Sequence, residues 1–127
     1  MPGPGTFHWN ELTTTDLEGA KAFYEKAIGW EFESMTMADG GTYYIAKVDG
    51  APAAGLMEHT DNMPEGTPSH WRSYISVKDV DATLATAVMA GGTQIYEAFD
   101  VPGVGRIGGF FDPQGGAINV ITPATFH

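Results

Sequence analysis

TTTDLEGAKAFYEKAIGW, residues 13–30, reads as one short helix with both of its ends written in. Thr15-Asp16-Leu17-Glu18 fits a capping box, with Thr15 as N-cap and Glu18 reaching back to it. Leu17, Ala20, Phe23, Ala27 and Ile28 form an apolar stripe at helical spacing, and Gly29 ends the run. Working outward, FHWNELT (7–13) precedes the helix as a strand. WEFESMTM (30–37), TYYIAKV (42–48) and APAAGLM (51–57) follow as three more, separated by the turn signals ADGG and DG.

The same plan then recurs. HWRSYISV (70–77) reads as a strand, and Asp79 caps a helix whose stripe is Val80, Leu84, Ala87 and Val88 before Gly91-Gly92 stops it. TQIYEAF (93–99), GRIGGFF (105–111) and AINVIT (117–122) supply three further strands. Between the last two, Asp112-Pro113 opens a tight turn and Gly115-Gly116 are expected to supply positive φ angles. Asp16 to Gly29 spans 13 residues, as does Asp79 to Gly92, and His-Trp occurs at both 8–9 and 70–71. The polar segment EHTDNMPEGTPS (58–69) reads as a linker loop. A β-α-β-β-β order written twice is an internal repeat. The fold class that follows is α+β, with two tandem βαβββ modules at about 6–58 and 70–123, joined by a linker at about 59–69.

Composition bounds what such a chain can do. At 127 residues it has the length of one domain, and 43% hydrophobic residues argue for a packed core. Six Lys plus Arg against sixteen Asp plus Glu leave a net charge of −10, which repels nucleic acid and anionic lipid alike. No apolar run approaches the ~18 residues of a membrane span, and MPGPGTFHW lacks the basic and apolar regions of a signal peptide. With no Cys, disulfides and thiolate metal sites are excluded, and a cytoplasmic location is the expectation. GTPSH places a Ser beside a His, but neighbours on a strand point apart, and no G-x-S-x-G elbow occurs. GVGRIGG lacks the Lys and following helix of a phosphate loop, so its glycines are read as sites of strand curvature or close backbone approach.

Three passages, WNELTTTDLEGAKAFYEKAIGWEF (9–32), WRSYISVKDVDATLATAVMAGGTQI (71–95) and VGRIGGFFDPQGGAINVI (104–121), together resemble the vicinal oxygen chelate superfamily. That superfamily includes the glyoxalase, bleomycin-resistance and ring-cleaving dioxygenase proteins. The resemblance covers essentially the whole chain. It implies that the strands form a curved mixed sheet around a cavity, and that the cup is completed in a homodimer. It also implies four metal-ligand positions, one on the first and one on the last strand of each module. Anchored on the helix caps, these fall at Trp9, at Arg72 (His70 or Trp71 if the strand slips by one), near Gly55 to Met57, and at Asn119, where the family usually has Glu. Trp and Arg do not ligate divalent ions and Asn is a weak neutral donor, so the expectation is no metal at the usual positions.

The residues then left for a ligand are Trp9, Glu11, Tyr44, Arg72, Tyr74 and Asn119. If Trp9 faces inward so does Glu11, and a partly buried carboxylate needs a partner, for which Arg72 is the candidate. Glu11 is either an orienting group or general base, or else a solvated edge charge. Arg72 either clamps a ligand carboxylate or phosphate or forms a structural salt bridge. Trp9 and Tyr44 offer stacking faces, Tyr74 and Asn119 hydrogen bonds, and for the tyrosines a plain core role weighs equally. The expected function is a small-molecule-binding protein without cofactor, akin to the bleomycin-resistance branch. The alternatives are a metal-dependent glyoxalase or dioxygenase-like enzyme, a metal-free isomerase or lyase using Glu11, and a structural interaction protein with a filled cup. A divalent metal outside the usual positions would draw on His8, Glu58 or His59, and His70. The bland reading of these is strand-end histidines and a solvated loop, with the terminal His127 mobile.

Overall fold

The structure, a computed structural model, describes residues 3–37, 40–59 and 66–124. The core of the expected linker, 60–65, and His127 lie outside the described residues. Element order is β1 (Phe7–Thr14), α1 (Leu17–Ala27), β2 (Glu31–Thr36), β3 (Thr42–Val48), β4 (Ala51–Glu58), β5 (His70–Ser76), α2 (Val80–Met89), β6 (Thr93–Val101), β7 (Gly105–Phe111) and β8 (Ala117–Pro123). This is an α+β chain in which β-α-β-β-β occurs twice. Backbone contacts divide it into Trp9–Arg72 and the remainder.

In Trp9–Arg72 the strand order is β2-β3-β4-β1, with β1 and β4 parallel and the other pairs antiparallel. Leu12, Leu17 and Leu56 form the buried core, joined by Ala20, Tyr24, Trp30, Phe32 and Tyr44. Strand alternation sorts the faces: Leu12, Leu56 and Tyr44 turn toward α1, which leaves Trp9, Glu11 and Tyr43 on the opposite face. The β3–β4 turn at Asp49-Gly50 takes positive φ at both residues, 51° and 80°, as a two-residue hairpin requires.

Helix α1 starts one residue later than the capping box suggested. Asp16 is the N-cap, its Oδ1 accepting from Gly19 N at 3.0 Å. Glu18 does not reach back; its carboxylate accepts from the Tyr44 hydroxyl, and Glu58 takes over as acceptor for Leu17 N. The apolar stripe is also rotated from the expected one. Leu17, Ala20 and Tyr24 face the core, while Phe23 and Ile28 are exposed. The amphipathic Tyr24 won the inward position because it stacks on Trp30, at 5.3 Å between centroids, and still reaches the indole N–H of Trp71.

In the other unit β5-β8-β7-β6 run side by side, with β5 and β8 parallel. Val80 and Leu84 of α2 close on Val120, with Ile75, Val77, Ala98 and Phe110 around them. Asp79 caps α2 as expected, accepting from Ala82 N at 3.1 Å. The β7 glycines are sites of close approach. A side chain at Gly108 would press on Val80 and Leu84, and one at Gly109 would overlap the Tyr96 ring. In the β7–β8 turn, Asp112 Oδ1 accepts from Gln114 N and Gly116 N, and only Gly115 takes positive φ.

Candidate functional site

The face of the β2-β3-β4-β1 sheet turned away from α1 carries a connected polar run. Trp9 Nε1 donates to the Tyr43 hydroxyl at 2.9 Å, and that hydroxyl donates to Glu11 Oε1 at 2.8 Å. The other carboxylate oxygen, Oε2, lies 3.9 Å from Arg72 Nη1. Glu11 is 8% exposed, so this carboxylate is removed from bulk water beside a cation and a phenol.

The run exists because of a gap in the sheet. Glu11 on β1 is in register with Gly55 on β4, and Gly55 with Ile45 on β3. Tyr43 reaches Glu11 by lying across Gly55, where any side chain would overlap its hydroxyl and ring. Burial first, and then the charge of Glu11, push the Tyr43 phenol well above its ordinary value; the Trp9 indole and Arg72 offset this only in part. Tyr43 therefore keeps its proton throughout the neutral range and acts as a fixed donor to Glu11.

Of the residues selected from sequence, Trp9, Glu11 and Arg72 come together here. Tyr44 does not join them. Its ring packs against Phe32 on the helix side at 6.1 Å, and its hydroxyl bonds Glu18 at 2.6 Å. Tyr43, the adjacent residue, takes the place expected of it. Tyr74 and Asn119 lie in the other unit, opposite one another in the β5–β8 register, and both are buried. Asn119 Oδ1 accepts from the Tyr96 hydroxyl at 2.7 Å, and Nδ2 lies 3.5 Å from Ser73 O. Tyr96 crosses Gly109 to make this bond, as Tyr43 crosses Gly55. Neither Tyr43 nor Tyr96 was singled out from sequence; the signal that could have found them is a glycine inside a strand pattern, which marks close approach.

The residues at the family's ligand positions do not suit a divalent ion. Trp9 presents an N–H donor, Arg72 a cation, Gly55 to Met57 neither imidazole nor carboxylate, and the one oxygen of Asn119 accepts from Tyr96. Among the described residues, no three His, Asp or Glu side chains are placed to share an ion. His8 is exposed on β1, Glu58 accepts from the α1 backbone at 3.1 Å, and His59 and His70 face each other as a pair. A cleft of about 530 Å³ lies elsewhere, between α2 and Phe110 to Pro113. Ala82, Ala87, Ala90, Thr83 and Thr86 form its α2 wall, its Asp79 is engaged as the α2 cap and its Asp112 by the turn, so of its charged groups only Lys78 is left for a ligand, against the connected run on the Glu11 face.

Comparison with known proteins bears on the whole chain. Residues 6–120 match the family model described as Glyoxalase/Bleomycin resistance protein/Dioxygenase superfamily. The Mycobacterium tuberculosis protein CFP32, named as a glyoxylase on a provisional basis, is 45% identical over 120 residues, 94% of this chain and 45% of its own. The anthracycline biosynthesis protein DauV of a Streptomyces species is 30% identical over 128 residues, 92% of this chain and 46% of its own. The chain thus spans about half the length of these curated relatives. Among solved structures, methylmalonyl-CoA epimerase from Mycobacterium tuberculosis aligns with a TM-score of 0.67 at 20% identity, covering 98% of this chain and 93% of that one. A variant of the Streptomyces coelicolor epimerase in complex with 2-nitronate-propionyl-CoA gives 0.68 at 20% identity, covering 97% and 100%. At that identity the likeness speaks for the fold.

Proposed function

The chain belongs to the Glyoxalase/Bleomycin resistance protein/Dioxygenase superfamily, and from that premise we propose that it binds a compact polar organic molecule on the face carrying Trp9, Glu11, Tyr43 and Arg72. One observation carries the reading: the hydrogen-bonded run from Trp9 through Tyr43 to Glu11, with Arg72 at the far oxygen. The 3.9 Å between Arg72 Nη1 and Glu11 Oε2 exceeds hydrogen-bond length and is a span that a water or a ligand oxygen can bridge. Such a ligand would set a carbonyl or carboxylate oxygen against Arg72 and a hydroxyl against Glu11. A CoA ester, as held by the structural neighbour, is a poorer match. Its phosphates need clustered cations, and of the three lysines on this unit Lys21 and Lys47 are paired with Glu25 and Glu33, which leaves Lys26, in the last turn of α1, as the one lysine with no ion pair among the described residues. The ligand is small, the chain a homodimer, and the location cytoplasmic in this proposal.

A second reading is favoured by the same buried carboxylate. Glu11 would take a proton from a carbon next to a carbonyl, the electron pair moving onto the carbonyl oxygen, where Arg72 stabilises the negative charge. No metal takes part in that step. Small 2-hydroxy and 2-oxo carbonyl compounds, screened by thermal shift and then incubated with protein in D2O, separate the two. Under the binding reading, hits bind without C–H exchange in proton NMR, and Glu11→Gln weakens them about ten-fold. Exchange that Glu11→Gln abolishes, with affinity held within about two-fold, makes Glu11 a base. No hit whose binding responds to Glu11→Gln or Arg72→Gln would sink the site altogether.

A further inference from the structure

Away from the Glu11 cluster, His59 and His70 meet where β4 ends and β5 begins, their ring centroids 6.0 Å apart and their planes tilted by 45°. Both are anchored to the same short stretch, Thr14-Thr15, His59 through its own backbone and His70 through the side chain of its neighbour Ser69. His59 N donates to the Thr14 carbonyl at 2.9 Å. Ser69, next to His70, accepts from Thr15 N at 3.1 Å and donates to Thr14 Oγ1 at 3.2 Å. The pair is therefore held by a scaffold of main-chain and hydroxyl bonds.

The protonation pattern of His70 is dictated by its partner. Its Nδ1 lies 2.9 Å from the Pro68 carbonyl. A carbonyl only accepts, so Nδ1 carries a proton, and in the neutral ring Nε2 is left with an in-plane lone pair. A backbone carbonyl on one ring nitrogen is the usual means by which a metal-binding His is oriented through the other. On His59, Nε2 is buried and has no hydrogen-bond partner among the described residues. A buried polar atom left in that condition is costly and calls for a water or an ion.

We propose that His59 and His70 form a two-imidazole site for a borderline transition-metal ion, Zn(II), Ni(II) or Cu(II), with water completing the coordination. Imidazole suits these ions, whereas Mg(II) and Ca(II) take oxygen ligands. With metal–nitrogen bonds of about 2.0–2.1 Å and a ring centre about 1.1 Å behind each nitrogen, two imidazoles on one ion stand about 5.1 Å apart at the tetrahedral angle and about 6.3 Å apart on opposite sides of the ion. The 6.0 Å between His59 and His70 lies between these two, within a small side-chain rotation of either. The site is separate from the proposed ligand face, since neither histidine belongs to the Trp9–Tyr43–Glu11–Arg72 run.

Calorimetric titration of EDTA-treated protein near neutral pH with zinc, nickel and copper chlorides tests this, with magnesium chloride as control. The expected result is one equivalent of a transition ion bound in the micromolar range, with a matching rise in thermal midpoint and no response to magnesium. His70→Gln and His59→Gln should each weaken binding at least ten-fold, and His8→Gln should leave it unchanged. Binding that survives both substitutions, or none by about 1 mM metal, overturns the proposal. Should His59→Gln fail to fold, long-range proton–nitrogen spectra of the wild-type protein decide the matter. The metal-free protein should show the Nδ1–H tautomer of His70, and zinc should shift Nε2 of His59 and His70; movement confined to His8 or His127 overturns the assignment.

Discussion

The Tyr43 hydroxyl stands between two partners, accepting from Trp9 and donating to Glu11, so removing it leaves the Trp9 N–H without this acceptor and takes one donor from Glu11. Tyr43→Phe should cost about 1–3 kcal/mol, the range for leaving a buried polar group unmet, read as a lowered urea midpoint with unchanged slope. The same bond has a pH signature. An unfolded tyrosine ionises near 10, and burial together with Glu11 lifts the folded value above that, so above pH 10 the folded state holds the extra proton. The stability this group contributes is complete below about pH 10 and lost as pH rises toward the folded value, by roughly 0.8 kcal/mol at pH 10.5. The gap between wild type and Tyr43→Phe should accordingly narrow by that amount between pH 8.5 and 10.5. A constant gap would mean that Tyr43 is not the buried donor described. Gly55→Ala should act on the same residue from beneath, displacing the ring at a cost of about 1–3 kcal/mol, and a smaller cost in the Tyr43→Ala background would show that the two are coupled. Trp9, Glu11 and Arg72 were legible because period-two alternation and the count back from each helix cap place them on one face. Tyr43 was not, because two adjacent tyrosines carry the same chemistry and only the β3–β4 register decides which one crosses a glycine.

At the level of elements, helices and strands were legible almost to their ends, because turns and caps are local chemistry: Asp49-Gly50 acts through its own backbone angles and Asp112 through bonds to its neighbours. What escaped was the rotation of α1. Phe23 and Tyr24 both suit an apolar stripe, and the choice between them rests on Trp30 and Trp71, the latter 47 residues away in sequence. The caps make a matched test. Asp16 accepts from Gly19 N and Asp79 from Ala82 N, and Asp→Ala at such a position costs about 1 kcal/mol. Helix α1 has a second acceptor, since Glu58 takes the Leu17 N–H. Asp16→Ala should therefore lose less than Asp79→Ala in the same denaturation series, and the difference should disappear once Glu58→Ala is added. Equal losses with Glu58 intact would show that the β4 carboxylate gives the helix no support.

For the whole molecule, charge is the property that outruns any local contact. Ten net negative charges repel one another, while among the described residues four of the six cations are in ion pairs: Lys21 with Glu25, Lys47 with Glu33, Arg72 with Glu11, and Arg106 with Asp81 and Asp100. Two effects of salt then compete. Screening weakens the pairs, of which the bidentate Arg106–Asp81 contact is the best formed, its hydrogen bonds lowering the Asp81 carboxyl below its usual value. Exposed pairs contribute little to stability even at low salt, because water screens them and ordering two long side chains opposes them. Screening also relieves repulsion among the remaining carboxylates, which acts over the whole surface. At 0.01 M salt the screening length is about 30 Å, the scale of the molecule, and at 0.15 M about 8 Å. Repulsion should win, and sodium chloride between these concentrations should raise the thermal midpoint by a few degrees, on the order of 1 kcal/mol for a chain of this size. A midpoint that falls with salt would reverse the ranking and make the ion pairs, Arg106 with its two aspartates foremost, the larger electrostatic contribution to stability.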